Sequence, residues 1–120
     1  MNEHLFCKIF IESPLTQKDL IHVISNIVNG TIELGHYITS DQMEIDVLEN
    51  DEYDEVLLKD SNQGFLYYRY YLEIEPTNNV AEYNYIQNIS NLLENLWNQG
   101  NKAVAACDFE NELPRLGLNM

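Results

Sequence analysis

The sequence predicts a single α+β domain in which two helices cover one face of an antiparallel sheet. Segments with alternating apolar residues, which are typical of strands, occur in both halves of the 120-residue chain. Two other segments repeat apolar residues at the three- and four-residue spacing of a helix. Because each helical segment has one apolar stripe and lies between strands, both helices should pack on the same side of the sheet.

The strongest strand prediction covers residues 64–76. Alternate positions from Leu66 to Ile74 are apolar or aromatic, whereas the positions between them include Arg69 and Glu73. The first set should therefore face the core, and the second should face water or a partner. Turn-like residues precede this segment and a proline ends it, as expected at strand boundaries.

Residues 4–12 form the first predicted strand, and apolar side chains on both of its faces favour an interior position in the sheet. Thr16 fits the N-cap of the first helix, because its hydroxyl can accept a backbone N–H of the first turn. An apolar stripe that includes Leu20 and Ile24 continues this helix. Gly30 suits the left-handed position that ends it.

Residues 31–38 and 43–49 are two β-prone runs. Residues 40–42 between them allow either a tight turn or a bulge, so the region is either one bent strand or a hairpin. The second run alternates apolar and acidic residues, which suits the edge of a sheet. Residues 50–63 form a polar and acidic connection to the strongest strand.

The second helix is predicted to begin after Asn79, which fits an N-cap with Glu82 three residues later, and to end near Asn98. The last strand covers residues 102–109, and residues 110–120 form a tail. The predicted order is therefore β-α-β-β-α-β, which is the split βαβ or ferredoxin-like arrangement. In that arrangement the first and third strands are central, and these are the two most hydrophobic strands predicted here.

Charge is the strongest compositional signal, because 20 acidic residues against six basic ones give a formal net charge of −14. This balance disfavours binding to nucleic acid or to an anionic membrane surface, and it permits a basic protein partner. Solubility alone would also explain the acidity. Cys7 and Cys107 lie far apart in sequence, and no signal-peptide pattern is recognised, so we expect a cytoplasmic protein with reduced thiols.

No motif for catalysis, phosphate binding or metal binding is recognised, so we expect neither an enzyme nor a cofactor. Cys107 beside Asp108 suggests a nucleophile. A nucleophilic cysteine needs a nearby base, however, and no spacing places His4, His22 or His36 beside it. A buried, inert thiol is the better interpretation of Cys107.

The side of the sheet away from the helices is predicted to display Phe6, Phe10, Tyr67 and Tyr71 with Arg69 among them. This composition is typical of protein interfaces, and a symmetric pairing of the same face in two copies would give a homodimer. Tyrosines are also good strand formers, which would explain them without any partner.

Small size, heavy acidity and the lack of a catalytic constellation resemble the overall properties of bacterial immunity proteins, although no motif matches. The resemblance implies a non-catalytic protein that neutralises a basic toxin or nuclease, with acidic groups that speed capture. The residues expected to bind the partner are Asp41, Glu44, Asp46, Asp51, Glu52, Asp54, Glu55, Tyr67, Arg69, Tyr71, Asp108, Glu110 and Glu112. The alternative is a dimeric, stand-alone domain that binds a small molecule, because the predicted fold resembles amino-acid-binding regulatory domains.

Overall fold

The computed structural model describes residues 3–60 and 62–114, and it has two helices packed on a six-stranded antiparallel sheet. The helices are α1 (Gln17–Val28) and α2 (Glu82–Asn98). The strands are β1 (Cys7–Glu12), β2 (Thr31–Glu33), β3 (Tyr37–Thr39), β4 (Met43–Glu49), β5 (Tyr70–Pro76) and β6 (Lys102–Cys107). Their order across the sheet is β2-β3-β4-β5-β1-β6. No helix within the described ranges has the length and hydropathy needed to cross a membrane.

The predicted α+β class with an antiparallel sheet is confirmed, but the predicted order of elements is wrong. The region 31–49 contains three strands, because Leu34 and Gly35 adopt left-handed conformations, with φ of 56° and 83°, and reverse the chain between β2 and β3. The residues on both sides of this reversal are β-prone, so the pattern shows no break there. A second tight turn joins β3 to β4, and the Ser40 N–H donates to the Met43 carbonyl at 3.0 Å to close it.

Strand β5 begins six residues later than the strand predicted for residues 64–76. Gly64–Tyr67 forms a 3₁₀ helix instead. The Asn50 side-chain amide donates to the carbonyl oxygens of Leu66 at 3.0 Å and Tyr68 at 2.8 Å, which ties this segment to the end of β4. Because the segment follows that connection rather than the sheet, Leu66 is exposed and Tyr68 is only half-buried, against the prediction that both face the core.

The helix ends follow the predictions in part. Thr16 caps α1 as predicted, since its hydroxyl accepts a backbone N–H of the first turn at 3.2 Å. The left-handed residue that ends α1 is Asn29, with φ of 57°, rather than Gly30. Helix α2 is capped by Ala81, because the predicted cap, Asn79, takes a left-handed conformation with φ of 69° in the preceding turn. The predicted end of α2 is confirmed.

One core lies between the helices and the sheet. It joins alternate residues of the strands to the apolar stripes of both helices, including Cys7, Ile9, Ile11, Met43, Ile45, Val47, Tyr70, Leu72, Ile74, Leu20, Ile24, Ile89 and Leu93. Both helices therefore lie on the same side of the sheet. Strand β1 pairs with β5 and β6, which confirms its predicted interior position. We call the side of the sheet opposite the helices the open face.

The end of the described chain closes one edge of this core. Strand β6 ends two residues before the end of the strand predicted for residues 102–109. The chain then turns, and Phe109 and Leu113 are buried on either side of the 3₁₀ helix Glu110–Glu112. The predicted tail is therefore partly built into the fold, while residues 115–120 lie outside the described residues.

Candidate protein-binding face

Four carboxylates on two neighbouring strands form the most concentrated charge on the open face. Glu44 lies directly opposite Glu75, and Asp46 lies directly opposite Glu73, in the antiparallel register of β4 and β5. The alternate residues of both strands, such as Ile45, are buried under the helices, so these four side chains project from the open face. Directly opposite residues have Cβ atoms about 4.5–5.5 Å apart, so like charges meet at close range. We call these four residues the acidic array.

No lysine ammonium or arginine guanidinium group in residues 3–60 and 62–114 comes within 4.0 Å of a carboxylate, and the two ion pairs there both involve histidine. One of them joins His36 Nδ1 to Asp46 Oδ1 at 2.7 Å. Lys8 lies opposite Glu73 in the register, but its Nζ lies 4.3 Å from the centroid of the Tyr71 ring. The array therefore keeps most of its negative charge uncompensated.

The hairpin of β2 and β3 extends this acidic surface. The Tyr37 hydroxyl donates to Glu44 Oε1 at 2.9 Å, and Thr39 Oγ1 donates to Glu33 Oε2 at 3.0 Å. Partial burial, the hydrogen bond to Glu44 and the charges of Glu44 and Glu75 together raise the pKa of Tyr37 to about 12. Burial is the largest of these effects, and the nearby carboxylates add to it.

The acids predicted to bind a partner do not form one cluster. Glu44 and Asp46 belong to the array, and Asp41 is exposed in the turn that precedes β4. Residues 51–55 leave the opposite end of β4, about 20 Å away for a strand of this length. Three further acids are exposed beyond the end of β6, on the far side of β5 and β1 from β4: Asp108, Glu110 and Glu112.

Asp54 has a structural role in the connection between β4 and β5. Its Oδ1 accepts the backbone N–H groups of Val56 at 2.8 Å and Leu57 at 2.9 Å, so the carboxylate is already engaged in holding a turn. Asp51 and Glu52 are exposed in the turn after β4. Of these three predicted residues, Asp51 and Glu52 are therefore the ones free to meet a partner.

Arg69 points into the molecule's own connection rather than away from the sheet. Its backbone N–H donates to Glu12 Oε1 at 2.8 Å, and its Nη2 donates to the Tyr53 hydroxyl at 2.9 Å. The guanidinium carbon lies 4.8 Å from the Tyr53 ring centroid, and the Tyr53 hydroxyl in turn donates to Glu55 at 3.2 Å. Tyr67 is half-buried in the neighbouring 3₁₀ helix. These predicted interface residues mainly hold the connection against the sheet.

The aromatic residues predicted for the open face largely cover one another. Phe10 is only 7% exposed, because Phe65 packs edge-on against it, with ring centroids 5.4 Å apart, and Tyr71 lies 6.2 Å away. Lys8 lies over the Phe10 and Tyr71 rings, at 5.1 and 4.3 Å from their centroids. Phe6 is 40% exposed. The face predicted as a broad aromatic contact surface is therefore mostly sealed by the chain itself. We call Phe10, Phe65 and Tyr71 the aromatic cluster.

Sequence reasoning missed three residues of the acidic surface: Glu33, Glu73 and Glu75. The parity of β5 already placed Glu73 and Glu75 on the outward face. Parity does not give the register between strands, and only the pairing of β4 with β5 shows that their acids lie opposite one another. Glu33 joins them through a short strand that was not separated from its neighbour in the sequence.

The described part of the chain contains no group of three or more His, Cys, Asp or Glu side chains arranged to hold a metal ion. No protein-family model matches the chain, and comparisons with curated proteins and with solved structures gave no significant match.

Proposed function

We propose that this protein is a non-catalytic binding protein that captures a basic protein through the acidic array, in the manner of an immunity-type inhibitor. The observation that carries the proposal is the array itself. Like charges placed directly opposite in a sheet destabilise it, by roughly 0.2–1 kcal/mol for each pair. A partner that presents Lys and Arg side chains to the array would relieve this repulsion.

The form of the surface favours a protein over other cationic ligands. The acids extend from Glu33 on β2 to Glu73 and Glu75 on β5, which is three strand spacings or about 14 Å. A surface of this width can meet several basic side chains at once. Opposite potentials on two proteins also accelerate their encounter, and this acceleration weakens as salt is added.

The order of the strands suggests how the acidic surface is built onto the sheet. We infer that β4-β5-β1-β6 and the two helices are a ferredoxin-like unit and that β2 and β3 are an added hairpin. In support, the chain without that hairpin has the order β-α-β-β-α-β, and all neighbouring strands are antiparallel. The hairpin then serves to widen the acidic surface.

Both cysteines are free thiols, which agrees with a cytoplasmic protein.

The test compares two variants that lose the same charge at different places. The array variant combines Glu44→Gln, Asp46→Asn, Glu73→Gln and Glu75→Gln. The control variant neutralises four exposed acids that are not expected to bind the partner: Asp19→Asn, Glu49→Gln, Glu82→Gln and Glu94→Gln. Each protein is immobilised and exposed at low salt to an extract of its native host, and captured proteins are eluted with a salt gradient and identified.

The expected result is one basic protein that binds the wild type and the control variant and is lost from the array variant. Titration of that purified partner should then show a fall in affinity of at least about 100-fold for the array variant. Equal capture by both variants would show that only net charge matters. Capture lost only in the control variant would move the interface to the helix side of the molecule. Either result would overturn the proposal.

A second candidate function is favoured by one cleft. Three of the chain's six Lys and Arg residues, Lys59, Arg69 and Lys102, line a cavity of about 490 Å³ beside Tyr53. The Arg69 Nε–H is buried and meets no acceptor among the residues described. Glu12 and Glu55 also line this cavity, so a small ligand that carries both charges, such as an amino acid, would fit it, in agreement with the dimeric regulatory-domain hypothesis. Melting temperatures that stay constant across a panel of amino acids and other metabolites, together with a monomer by light scattering, would exclude it.

A further inference from the structure

The two cysteines, which lie 100 positions apart in the sequence, face each other in the sheet. Cys7 on β1 is the direct partner of Cys107 on β6. Directly opposite residues of an antiparallel pair have Cα atoms about 4.5–5.5 Å apart and project to the same face. Disulfides span Cα separations of about 4.4–6.8 Å. The backbone therefore already holds the two thiols at a distance that a disulfide can bridge.

The two thiols differ in their surroundings. Cys7 is fully buried in the core, whereas Cys107 is half-buried at the end of β6, which pairs on one side only within the described sheet. The neighbouring Cys7 thiol and the N–H of Phe109 lower the pKa of Cys107, against the opposing effects of burial and of the charges of Glu110 and Asp108. The neighbouring Cys107 thiol, together with burial, raises the pKa of Cys7. Cys107 is thus partly accessible and ionises more readily, whereas Cys7 is protected and protonated.

We propose that Cys107 and Cys7 form a dithiol modification site that reacts with low-molecular-weight disulfides such as glutathione disulfide. The Cys107 thiolate attacks one sulfur of the disulfide, so that a mixed disulfide forms and one small thiolate leaves. The Cys7 thiol then loses its proton, and its sulfur attacks the Cys107 sulfur. This step forms the Cys7–Cys107 bond and releases the second small thiolate. The protein dithiol is oxidised by two electrons, and the small disulfide is reduced to two thiols.

This site is separate from the acidic array. Cys7 belongs to the buried side of β1, and its partner shares that side, so the sulfurs lie on the helix side of the sheet. The array projects from the opposite side. The bond would tether the edge strand β6 to the interior strand β1 without changing the open face. The test of the dithiol site is therefore independent of the test of the proposed function.

The first test needs no variant. The folded, reduced protein is equilibrated with mixtures of reduced and oxidised glutathione, quenched with acid, and analysed by intact mass and peptide mapping. We expect a monomer that loses two hydrogen atoms and contains a peptide pair linked through Cys7 and Cys107. Short pulses of iodoacetamide on the reduced protein should label Cys107 at least about tenfold faster than Cys7.

Two single variants then test the order of attack. In Cys7→Ser the reaction should stop at a stable glutathione adduct on Cys107, whereas Cys107→Ser should acquire almost no adduct. Circular dichroism identifies any variant that has unfolded, and in that event the labelling of the wild type decides the matter. Three results would overturn the proposal: no internal disulfide at any glutathione ratio, disulfides formed only between molecules, or oxidation that requires urea.

Discussion

The two halves of the open face differ in how much of their surface the chain covers. The aromatic cluster lies where β1 and β5 meet the returning connection, and Phe65 from that connection covers Phe10. The acidic array lies on the neighbouring part of β4 and β5, where Glu75 is exposed and Glu44, Asp46 and Glu73 are partly exposed. The same sheet surface is therefore sealed at one end and open at the other.

The difference follows from what each half gains by being covered. Removing the Phe10 ring from water is favourable by a few kcal/mol, since about 25 cal/mol is gained per Å² of apolar surface buried. Covering Glu44 or Glu73 without a cation would instead remove a charge from water at a large cost. The chain therefore folds its own connection over the rings and leaves the acids available. An aromatic pattern on a strand can thus indicate an internal contact, while an acidic pattern remains a candidate surface.

The largest expected effect is loss of the covered ring in the aromatic cluster. Replacing Phe10 with Ala should lower the free energy of unfolding by about 3 kcal/mol, because a nearly buried ring is removed and a cavity remains. Urea unfolding followed by circular dichroism measures this change. Phe6→Ala is the matched control, and it should cost less than about 1 kcal/mol because Phe6 is 40% exposed. Equal losses in the two variants would mean that the cluster is not a packed unit.

The next effect concerns Asn50, whose side chain holds the segment that covers the aromatic cluster. Asn50→Ala removes the two hydrogen bonds to the carbonyl oxygens of Leu66 and Tyr68, and it should lower the free energy of unfolding by about 1–2 kcal/mol. Hydrogen exchange should also quicken in Gly64–Tyr67, since that segment loses its tie to β4. Asn88→Ala, on the exposed side of α2, is the control. Unchanged exchange in the 3₁₀ helix would contradict the role given to Asn50.

Local patterns in the sequence account for a large part of this fold. The Thr16 cap, the interior position of β1 and the inward parity of Leu72 and Ile74 follow from neighbouring residues, and the structure contains all of them. The turn at Leu34 is harder to predict, because Leu34 takes a left-handed conformation, with φ of 56°, that residues other than glycine rarely adopt. The adjacent Gly35, also left-handed, is the one local signal for this turn.

The candidate sites depend on information that lies outside any one segment. Glu44 meets Glu75, and Cys7 meets Cys107, only through strand register, which joins residues 31 and 100 positions apart. Register is set by the fit of the whole apolar face and by the turns, so it is not written in the pattern of a single strand. Composition could predict an acidic surface, but it could not predict which acidic residues lie together on that surface.

A smaller effect concerns the repulsion between carboxylates in the acidic array. Glu73→Gln should raise the free energy of unfolding by about 0.5 kcal/mol, since it relieves the repulsion from Asp46 directly opposite. The gain should shrink as sodium chloride is added, because salt screens exposed charges. Glu94→Gln on the exposed face of α2 should change stability much less. A loss of stability in Glu73→Gln would indicate a compensating contact and would weaken the case for an uncompensated array.

The smallest effect uses Tyr37 to measure the potential of the acidic half. The pKa of Tyr37 is about 12 in the folded protein, above the ordinary value of 10.0. Between these two values the unfolded chain loses this proton before the folded one does. Folding is then penalised progressively, and stability falls as pH rises from about 10 to 12. Melting temperatures of Tyr37→Phe should therefore fall less steeply than those of the wild type in this window. Below the window the two should run parallel, with Tyr37→Phe offset by the lost hydrogen bond to Glu44. Tyr83→Phe, which alters a side chain 72% exposed on α2, is the control. Identical slopes for wild type and Tyr37→Phe would mean that burial and the nearby carboxylates do not raise the pKa of Tyr37.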